Sequence, residues 1–319
     1  MNIAVTRRLF PDQIDRLREK YNVAIWDSDL PPTPPELINF LKGSAGALTL
    51  LTDKIDGEVL DELPDLRVVS NLAVGYDNID VPAATERGVA VCTTPDVLTE
   101  TTAEFTIALL FAAARQVIPS FEAARNGEWQ TWYPMRFLGI DLHRSTLGIV
   151  GFGRIGQYVA KLAMAMGMEV IISDPQTDSP EFENLPLDQL LARSDVVSLH
   201  TPLTDSTHHL INADSLAAMR DDAILINTAR GPVVDTDALV QSLKSGKLRA
   251  AALDVTDPEP LPSDHELYSF DNVIVTPHIA SATVATRNEM ARLAVHNLIA
   301  VLEGTEPPHC LNPEVLQRD

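Results

Sequence analysis

Arg230, Glu259 and His278 each stand just after a short apolar run in the last third of the chain. Arg230 follows Asn227-Thr228-Ala229 and precedes Gly231-Pro232, Glu259 lies in Asp257-Pro258-Glu259-Pro260, and His278 follows Thr276-Pro277. These residue types together could perform an acid–base step on a small substrate bearing a carboxylate. A histidine titrates near neutrality, so it can hand a proton to an oxygen on which negative charge develops, and a neighbouring carboxylate stabilises the imidazolium and fixes the ring. An arginine holds a carboxylate in a bidentate fork that a lysine cannot copy. Singly, each has a plainer explanation: a surface ion pair, a loop glutamate, one histidine among 8. Their shared position at strand ends, the edge where open α/β sheets bind ligands, sets them apart.

A second constellation supplies the partner such a step needs. The apolar run 147–150 leads into Gly151-x-Gly153-Arg154-Ile155-Gly156, and the residues that follow have the composition of a helix. Gly151 permits the tight turn out of the strand, Gly153 lets a pyrophosphate approach the backbone, and Gly156 lets helix and strand pack closely. The helix N-terminus offers unpaired N–H groups and the positive end of its dipole. A second run, Glu169–Ser173, ends at Asp174, where such units place the carboxylate that accepts from the adenosine ribose hydroxyls. Strand, glycines, helix, strand and terminal acid in this order define a dinucleotide site. Hydride transfer from a dinucleotide to a ketone makes an alkoxide, which is what His278 would protonate.

The elements that must position these groups follow from the alternation of pattern. Residues 3–5, 23–26, 47–51, 68–70 and 89–91 form strands joined by crossovers long enough for helices, and 31–35, Pro-Pro-Thr-Pro-Pro, forms an extended loop before the second helix. Thr101 and Glu104 have capping-box spacing before a mostly apolar helix over about 105–115. Further strands at 195–199, 223–227, 250–254 and 273–275, with helices from about Ala213 and Asp235, continue the βα rhythm, and a last helix covers 284–302. The pattern predicts α/β architecture with two doubly wound parallel sheets. A dinucleotide-binding domain would span 99–284, and a smaller substrate domain 1–98 with 285–319. Between the apolar helix and the glycine motif, Trp129, Trp132 and Tyr133 lie in one loop, either packed locally or exposed as an oligomer contact.

Composition narrows the partners. With 24 basic and 45 acidic residues among 319, the formal charge is −21, which repels nucleic acid and anionic membranes and obliges an anionic substrate to find a local cation. Only Cys92 and Cys310 are present, so neither a disulfide framework nor a Cys-rich metal motif is expected. No apolar run approaches the roughly 18 residues of a membrane span and no signal-peptide pattern opens the chain, so a cytoplasmic protein is expected.

The set Gly151-x-Gly153-Arg154-Ile155-Gly156, Asn227-Thr228-Ala229-Arg230-Gly231, Leu253-Asp254-Val255-x-x-x-Glu259-Pro260 and Thr276-Pro277-His278-Ile279 resembles the D-isomer-specific 2-hydroxyacid dehydrogenases. Asn71 to Asp80, Thr94-Pro95-x-Val97-Leu98-Thr99 and the tryptophan loop look most like the glyoxylate/hydroxypyruvate reductases among them. The resemblance implies a Rossmann dinucleotide-binding domain beside a flavodoxin-like substrate domain, with Arg230, Glu259 and His278 catalytic. It also implies that Leu51, Val74, Gly75 and Ser281 line the substrate pocket, that Thr201, Pro202, Thr228, Ala229 and Asp254 surround the nicotinamide half, and that Trp132 reaches a partner subunit's site in a homodimer. Asp174, followed by Pro175, Gln176 and Thr177 without a basic residue, favours NAD(H), with NADP(H) possible. The substrates implied are small 2-keto and 2-hydroxy acids. Two alternatives stay open: a phosphite dehydrogenase-like oxidoreductase, and an NAD-sensing corepressor-like binding protein.

Overall fold

Short β-favouring runs separated by amphipathic stretches form parallel sheets, because only crossover helices can connect them and cover both faces. The computed structural model describes residues 1–177 and 179–317. The chain divides into two units, Met1–Leu98 with Thr283–Asp319, and Thr99–Ala282.

In the first unit, β1 (Asn2–Val5), α1 (Pro11–Arg18), β2 (Asn22–Ile25), α2 (Pro34–Leu41), β3 (Gly46–Thr49), α3 (Gly57–Asp61), β4 (Val68–Asn71), α4 (Val81–Glu86) and β5 (Ala90–Cys92) alternate along the chain. The strands pair in parallel in the order β2-β1-β3-β4-β5, the flavodoxin-like arrangement. Ala4, Ala47 and Val69 lie with Leu37, Leu41 and Val91 in one fully or almost fully buried cluster. The proline stretch is not wholly a loop: Pro34 and Pro35 open α2 behind a Thr33–Glu36 capping box. Proline suits the first helical turn, where its missing N–H would have no partner anyway.

The second unit begins with α5 (Thr99–Ala114) and α6 (Val117–Arg125). The helix therefore starts at Thr99, and Thr101 lies inside its first turn rather than capping it. Pro95 and Asp96, the latter at φ 72°, break the chain just upstream, so helix can form as soon as they are passed. Then come β6 (Thr146–Val150), α7 (Arg154–Ala165), β7 (Glu169–Ser173), β8 (Glu183–Asn184), α8 (Leu187–Arg193), β9 (Val196–Leu199), α9 (Ala213–Ala218), β10 (Ala223–Asn227), α10 (Thr236–Lys244), β11 (Leu248–Leu253) and β12 (Val273–Val275). They form one parallel sheet in the order β12-β11-β10-β9-β6-β7-β8. Strand order reverses between β9 and β6, which makes their C-terminal ends the topological switch point. Core packing is tight there: a Cβ on Gly148 would come within 2.2 Å of Ser194 Oγ and 2.6 Å of Leu190 Cδ2.

The chain then returns to the first unit as α11 (Val284–Glu303), capped by the Thr283 side chain and ended by Gly304 at φ 71°. Within that unit α11 lies on the sheet, with Ser70 Oγ donating to the Ala294 carbonyl at 2.8 Å and Asn297 Nδ2 to the Thr93 carbonyl at 2.9 Å.

Candidate active site

The glycine motif occupies the turn from β6 into α7, and each glycine is there for a different reason. Gly151 sits at φ 88° with the His200 and Thr201 backbone so near that a Cβ would approach to 2.7 Å. A Cβ on Gly156 would come within 2.4 Å of the Gly151 carbonyl oxygen. Gly153 differs: a Cβ there would meet nothing within 4 Å. The fold does not require glycine at 153, and the space beside the α7 N-terminus is open enough for a ligand to approach the backbone. Gly153 is the N-cap without side-chain capping, and exposed Arg154 opens the helix although a cation is disfavoured at a positive dipole end. A helix N-terminus of this kind suits an anion. Thr201 after β9 has a buried hydroxyl without a hydrogen-bond partner, a second polar group suited to a bound molecule. Asp174, at the end of β7, is held in place by Phe152 N–H to Oδ2 at 2.7 Å and Gln176 N–H to Oδ1 at 2.8 Å. These residues fit a dinucleotide.

Along the same sheet edge, neighbouring strands deliver the polar residues one after another. At the end of β10, Asn227 forms an Asx turn: its Oδ1 accepts from Ala229 N–H at 3.0 Å and its Nδ2 donates to the Arg230 carbonyl at 2.8 Å. Thr228 Oγ1 lies 2.9 Å from Thr106 Oγ1 on α5. The Arg230 guanidinium donates to the Ala229 carbonyl at 2.8 Å. Gly231 follows because the next loop is pressed against it, and a Cβ would fall 1.9 Å from the Thr256 carbonyl oxygen. The Arg230 loop and the loop leading to Glu259 are thus in direct backbone contact. Thr236 Oγ1 reinforces this by donating to the Asp257 carbonyl at 2.9 Å, and Thr256 Oγ1 donates to that of Pro258 at 2.8 Å.

His278 Nδ1 lies 2.7 Å from Glu259 Oε1, with both side chains partly exposed. The carboxylate fixes the tautomer with the proton on Nδ1 and makes Nε2 the nitrogen that exchanges a proton with a substrate oxygen. His278 has φ 52°, a left-handed backbone that a histidine rarely adopts. Asp254, buried at the end of β11, explains how it is held. Its Oδ1 accepts from Thr276 Oγ1 at 2.7 Å and Ile279 N–H at 2.8 Å, its Oδ2 from Ala280 N–H at 2.8 Å, and its carbonyl from His278 N–H at 3.0 Å. The Asp254 carboxylate, expected around the nicotinamide, is engaged with the loop that carries the histidine. Ser281 follows in a turn closed by Ala282 N–H to the Ile279 carbonyl at 2.8 Å.

Two contributors were not visible as such in the sequence. Asn227 and Thr276 stand in the motifs around Arg230 and His278, but their bracing roles had no signal beyond an Asx at the end of one strand and a Thr just past another. His200, after β9, has Nε2 2.8 Å from Ser198 Oγ, and burial pushes its pKa down to about 4. Pro202 beside it accepts from Thr207 Oγ1 at 2.6 Å.

In the first unit, the residues expected at the substrate lie at the C-terminal ends of β3 and β4. Leu51 is half-buried after β3, and Val74 is exposed beside Gly75 after β4. Asn78 ties these two loops together by donating to the Leu50 carbonyl at 3.1 Å and the Asp53 carbonyl at 2.9 Å, and Asn71 Nδ2 donates to the Gly75 carbonyl at 3.2 Å. Asp53 Oδ2 accepts from Leu50 N–H at 2.8 Å and from Thr6 Oγ1; burial raises its pKa.

The tryptophan loop lies at the surface of the second unit. Trp129 and Trp132 are 75% and 81% exposed, with Met135, Phe121 and Val117 exposed nearby, so the rings do not pack into the core of their own unit. Trp129, Trp132, Tyr133 and Phe137 line a cavity of about 260 Å³ against Ser120 and Ala123 of α6. Among the described residues no group of three or more His, Cys, Asp or Glu could hold a metal, and no single helix is long and apolar enough to cross a membrane.

Fold and site define an NAD-binding oxidoreductase, and the comparisons give the family. The NAD-binding domain of the D-isomer specific 2-hydroxyacid dehydrogenases matches residues 107–280. The chain is 46% identical over 323 residues to a glyoxylate reductase of Thermofilum pendens, covering 99% of this chain and 95% of the relative. Among solved structures, a protein of Thermus thermophilus superposes with a TM-score of 0.94 at 49% identity, covering 98% of this chain and 100% of that one. The NADPH-dependent glyoxylate/hydroxypyruvate reductase of Sinorhizobium meliloti, in complex with NADP and malonate, gives 0.89 at 32% identity over 100% of this chain and 98% of that one. The chain belongs to the D-isomer specific 2-hydroxyacid dehydrogenase family.

Proposed function

We propose that this enzyme reduces glyoxylate and hydroxypyruvate to the corresponding 2-hydroxy acids, using NADH in preference to NADPH. The observation that carries the reading is the 2.7 Å His278–Glu259 couple on the same sheet edge as the glycine turn. Gly151, Gly153, Arg154, Ile155 and Gly156 would hold the pyrophosphate and Asp174 the ribose, with Thr201, Pro202, Thr228 and Ala229 towards the nicotinamide. When bound, the dinucleotide supplies the hydride. Arg230 takes the substrate carboxylate in a two-pronged hydrogen bond and so fixes the angle at which the keto carbon is presented. His278 hydrogen-bonds the keto oxygen through Nε2 and gives up its proton as charge develops there, while Glu259 stabilises the imidazolium before the transfer and keeps the ring aligned throughout. Ser281, in the same unit, would add to the substrate contacts.

Glyoxylate reductase names among the relatives support the substrate class. For the cofactor, Asp174 is pinned by two backbone N–H groups and would repel a 2′-phosphate, and Pro175, Gln176 and Thr177 bring no cation to offset it. Exposed Trp132 and its neighbours support a homodimer in which this tryptophan serves the partner's site. The acidic chain, with a formal charge of −21, suits a cytoplasmic enzyme.

The test is steady-state oxidation of NADH, then NADPH, with glyoxylate, hydroxypyruvate, pyruvate and phenylpyruvate in turn. Fast turnover of the first two with NADH is expected; equal efficiency with NADPH would defeat the cofactor assignment. Turnover that survives in His278→Ala would defeat the acid–base assignment.

A further inference from the structure

Cys92 and Cys310, the two cysteines of the chain, are far apart in sequence and form a cross-strand pair in the first unit. Cys92 ends β5, an edge strand of its sheet, and Cys310 lies in the segment after α11 that runs antiparallel along that edge. Leu311 N–H donates to the Val91 carbonyl at 2.8 Å, which makes Cys92 and Cys310 a non-hydrogen-bonded pair. Such pairs have Cα atoms about 4.5 Å apart, inside the roughly 4.4–6.8 Å that a disulfide spans. The segment is also fastened beyond the pair. Asn312 Oδ1 accepts from Val91 N–H at 2.8 Å and its Nδ2 donates to the Val89 carbonyl at 2.9 Å, so the register that pairs Cys92 with Cys310 is fixed next to the pair.

We propose that Cys92 and Cys310 form a reversible, oxidisable thiol pair that closes to an intrachain disulfide on reaction with a low-molecular-weight disulfide. The two thiols have different roles. Cys92 is fully buried, whereas Cys310 is half-buried and is the one an oxidant can reach. The Cys92 thiol donates to the Cys310 sulfur, and with the N–H groups of Asn312 and Val91 it lowers the Cys310 pKa to about 7. The same hydrogen bond, followed by burial, raises that of Cys92. Cys310 is thus the attacking thiolate and Cys92 the resolving thiol. In the first step the Cys310 sulfur bonds to one sulfur of the oxidant RSSR, whose S–S bond breaks and releases RS⁻. Capping Cys310 removes the negative sulfur that held the Cys92 proton. Cys92 then passes its proton to the departing RS⁻ and displaces it from the mixed disulfide. Two electrons leave the protein, one disulfide forms, and the oxidant is reduced to one RSH and the RS⁻ released first, which takes its proton from water. The product staples the segment after α11 to β5.

The experiment incubates the full reduced chain with oxidised glutathione, quenches it in acid, unfolds it, alkylates the remaining thiols and measures whole-chain and peptide masses. Both thiols should disappear together, the chain should be lighter by two hydrogens with the Cys92 and Cys310 peptides joined, and dithiothreitol should restore both. Cys92→Ser should stop at one glutathione on Cys310. The proposal is overturned if the wild-type chain accumulates that adduct without closing, keeps both thiols free, or forms chain-to-chain crosslinks instead. The wild-type masses decide the matter even should the Cys92 variant fail to fold.

Discussion

Asp254→Asn is the substitution that most directly tests how His278 is held. The carboxylate accepts three hydrogen bonds, two on Oδ1 from Thr276 and Ile279 and one on Oδ2 from Ala280. An asparagine of the same shape keeps one oxygen. With that oxygen at the Oδ1 position, the amide nitrogen faces the buried Ala280 N–H, donor against donor; turned the other way, it faces two donors instead. The better rotamer therefore loses one charge-assisted bond, strands a buried N–H and weakens the remaining two. Hydrogen bonds to charged groups contribute about 1.5–3 kcal/mol each, and an unsatisfied buried donor costs about 1–3 kcal/mol. Relief of a buried charge offsets part of this, so we expect about 2–4 kcal/mol of lost stability in the loop 276–280. The loop carries His278 at φ 52°, a conformation that persists only while its surroundings enforce it. A displacement of about 1 Å at the histidine would lower kcat on the order of a hundredfold. The assay is kcat and KM for keto acid and NADH, with thermal unfolding beside it. The expected pattern is a large fall in kcat, a lower unfolding midpoint and a nearly unchanged KM for NADH. Wild-type kcat and midpoint would refute the argument, and a loss confined to the KM for NADH would put the carboxylate on the cofactor.

Other substitutions probe the remaining parts. Gly153→Ala should leave the unfolding midpoint within about 0.5 kcal/mol of wild type, the usual range for a surface change, while weakening NADH binding measured by fluorescence titration. Gly156→Ala should instead destabilise, because its Cβ meets the Gly151 carbonyl oxygen at 2.4 Å; equal behaviour of the two variants would deny that Gly153 is kept for a ligand. His200, with its pKa lowered from 6.5 to about 4 by burial, stays neutral in the folded chain while its unfolded counterpart is protonated. Its contribution is complete above about pH 6.5 and is lost as the pH falls towards 4, by at most about 3 kcal/mol at 1.36 kcal/mol per unit. Urea unfolding of wild type and His200→Gln should therefore converge as pH drops through that window, and a constant difference would show that burial does not hold the ring neutral. Arg230→Lys should lose most activity with glyoxylate, since a lysine cannot form the fork; near-normal saturation and turnover would remove Arg230 as the anchor. Trp132→Ala should alter the ratio of glyoxylate to hydroxypyruvate turnover more than NADH affinity, and an unchanged ratio would mean that the loop serves only to pack against another surface.

What the sequence discloses about this enzyme follows the range of the forces involved. Parallel strands buried on both faces need unbroken apolar runs, so 147–150, 223–227 and 273–275 mark their own positions to within a residue or two. The glycine turn is legible for a similar reason: sterics at Gly151 and Gly156 act within a few residues and leave a fixed spacing. Helix starts were less legible. Thr101 and Glu104 have the spacing of a cap, yet the start of α5 was set upstream by Pro95 and Asp96, and Thr33 with Glu36 caps α2 behind prolines that pointed to a loop. The helix α6 and the two-residue strand β8 left no periodic signal of their own.

The site divides along the same line. Arg230, Glu259 and His278 could be picked out because their residue types are chemically conspicuous at strand ends. The groups that hold them were hidden, because a hydrogen bond between Asp254 and Ala280 or a contact between Gly231 and Thr256 depends on which strands are neighbours in the sheet, and spacing along the chain does not encode that. Once β10, β11 and β12 are known to be adjacent, these contacts acquire a direction: each loop braces the one delivered by the next strand, Gly231 against Thr256, and Asp254 against Thr276, Ile279 and Ala280. A substitution in one loop should therefore be felt most strongly by the catalytic residue of its neighbour. Gly231→Ala, whose Cβ would drive the Thr256 carbonyl away, should disturb the Glu259–His278 couple at least as much as it disturbs Arg230. The discriminating measurement is the pH profile of kcat/KM, which reports the essential acid and base of the free enzyme. A shifted profile locates the damage in the couple, whereas a raised KM with an unmoved profile would confine it to the anchor and show that the loops do not brace one another.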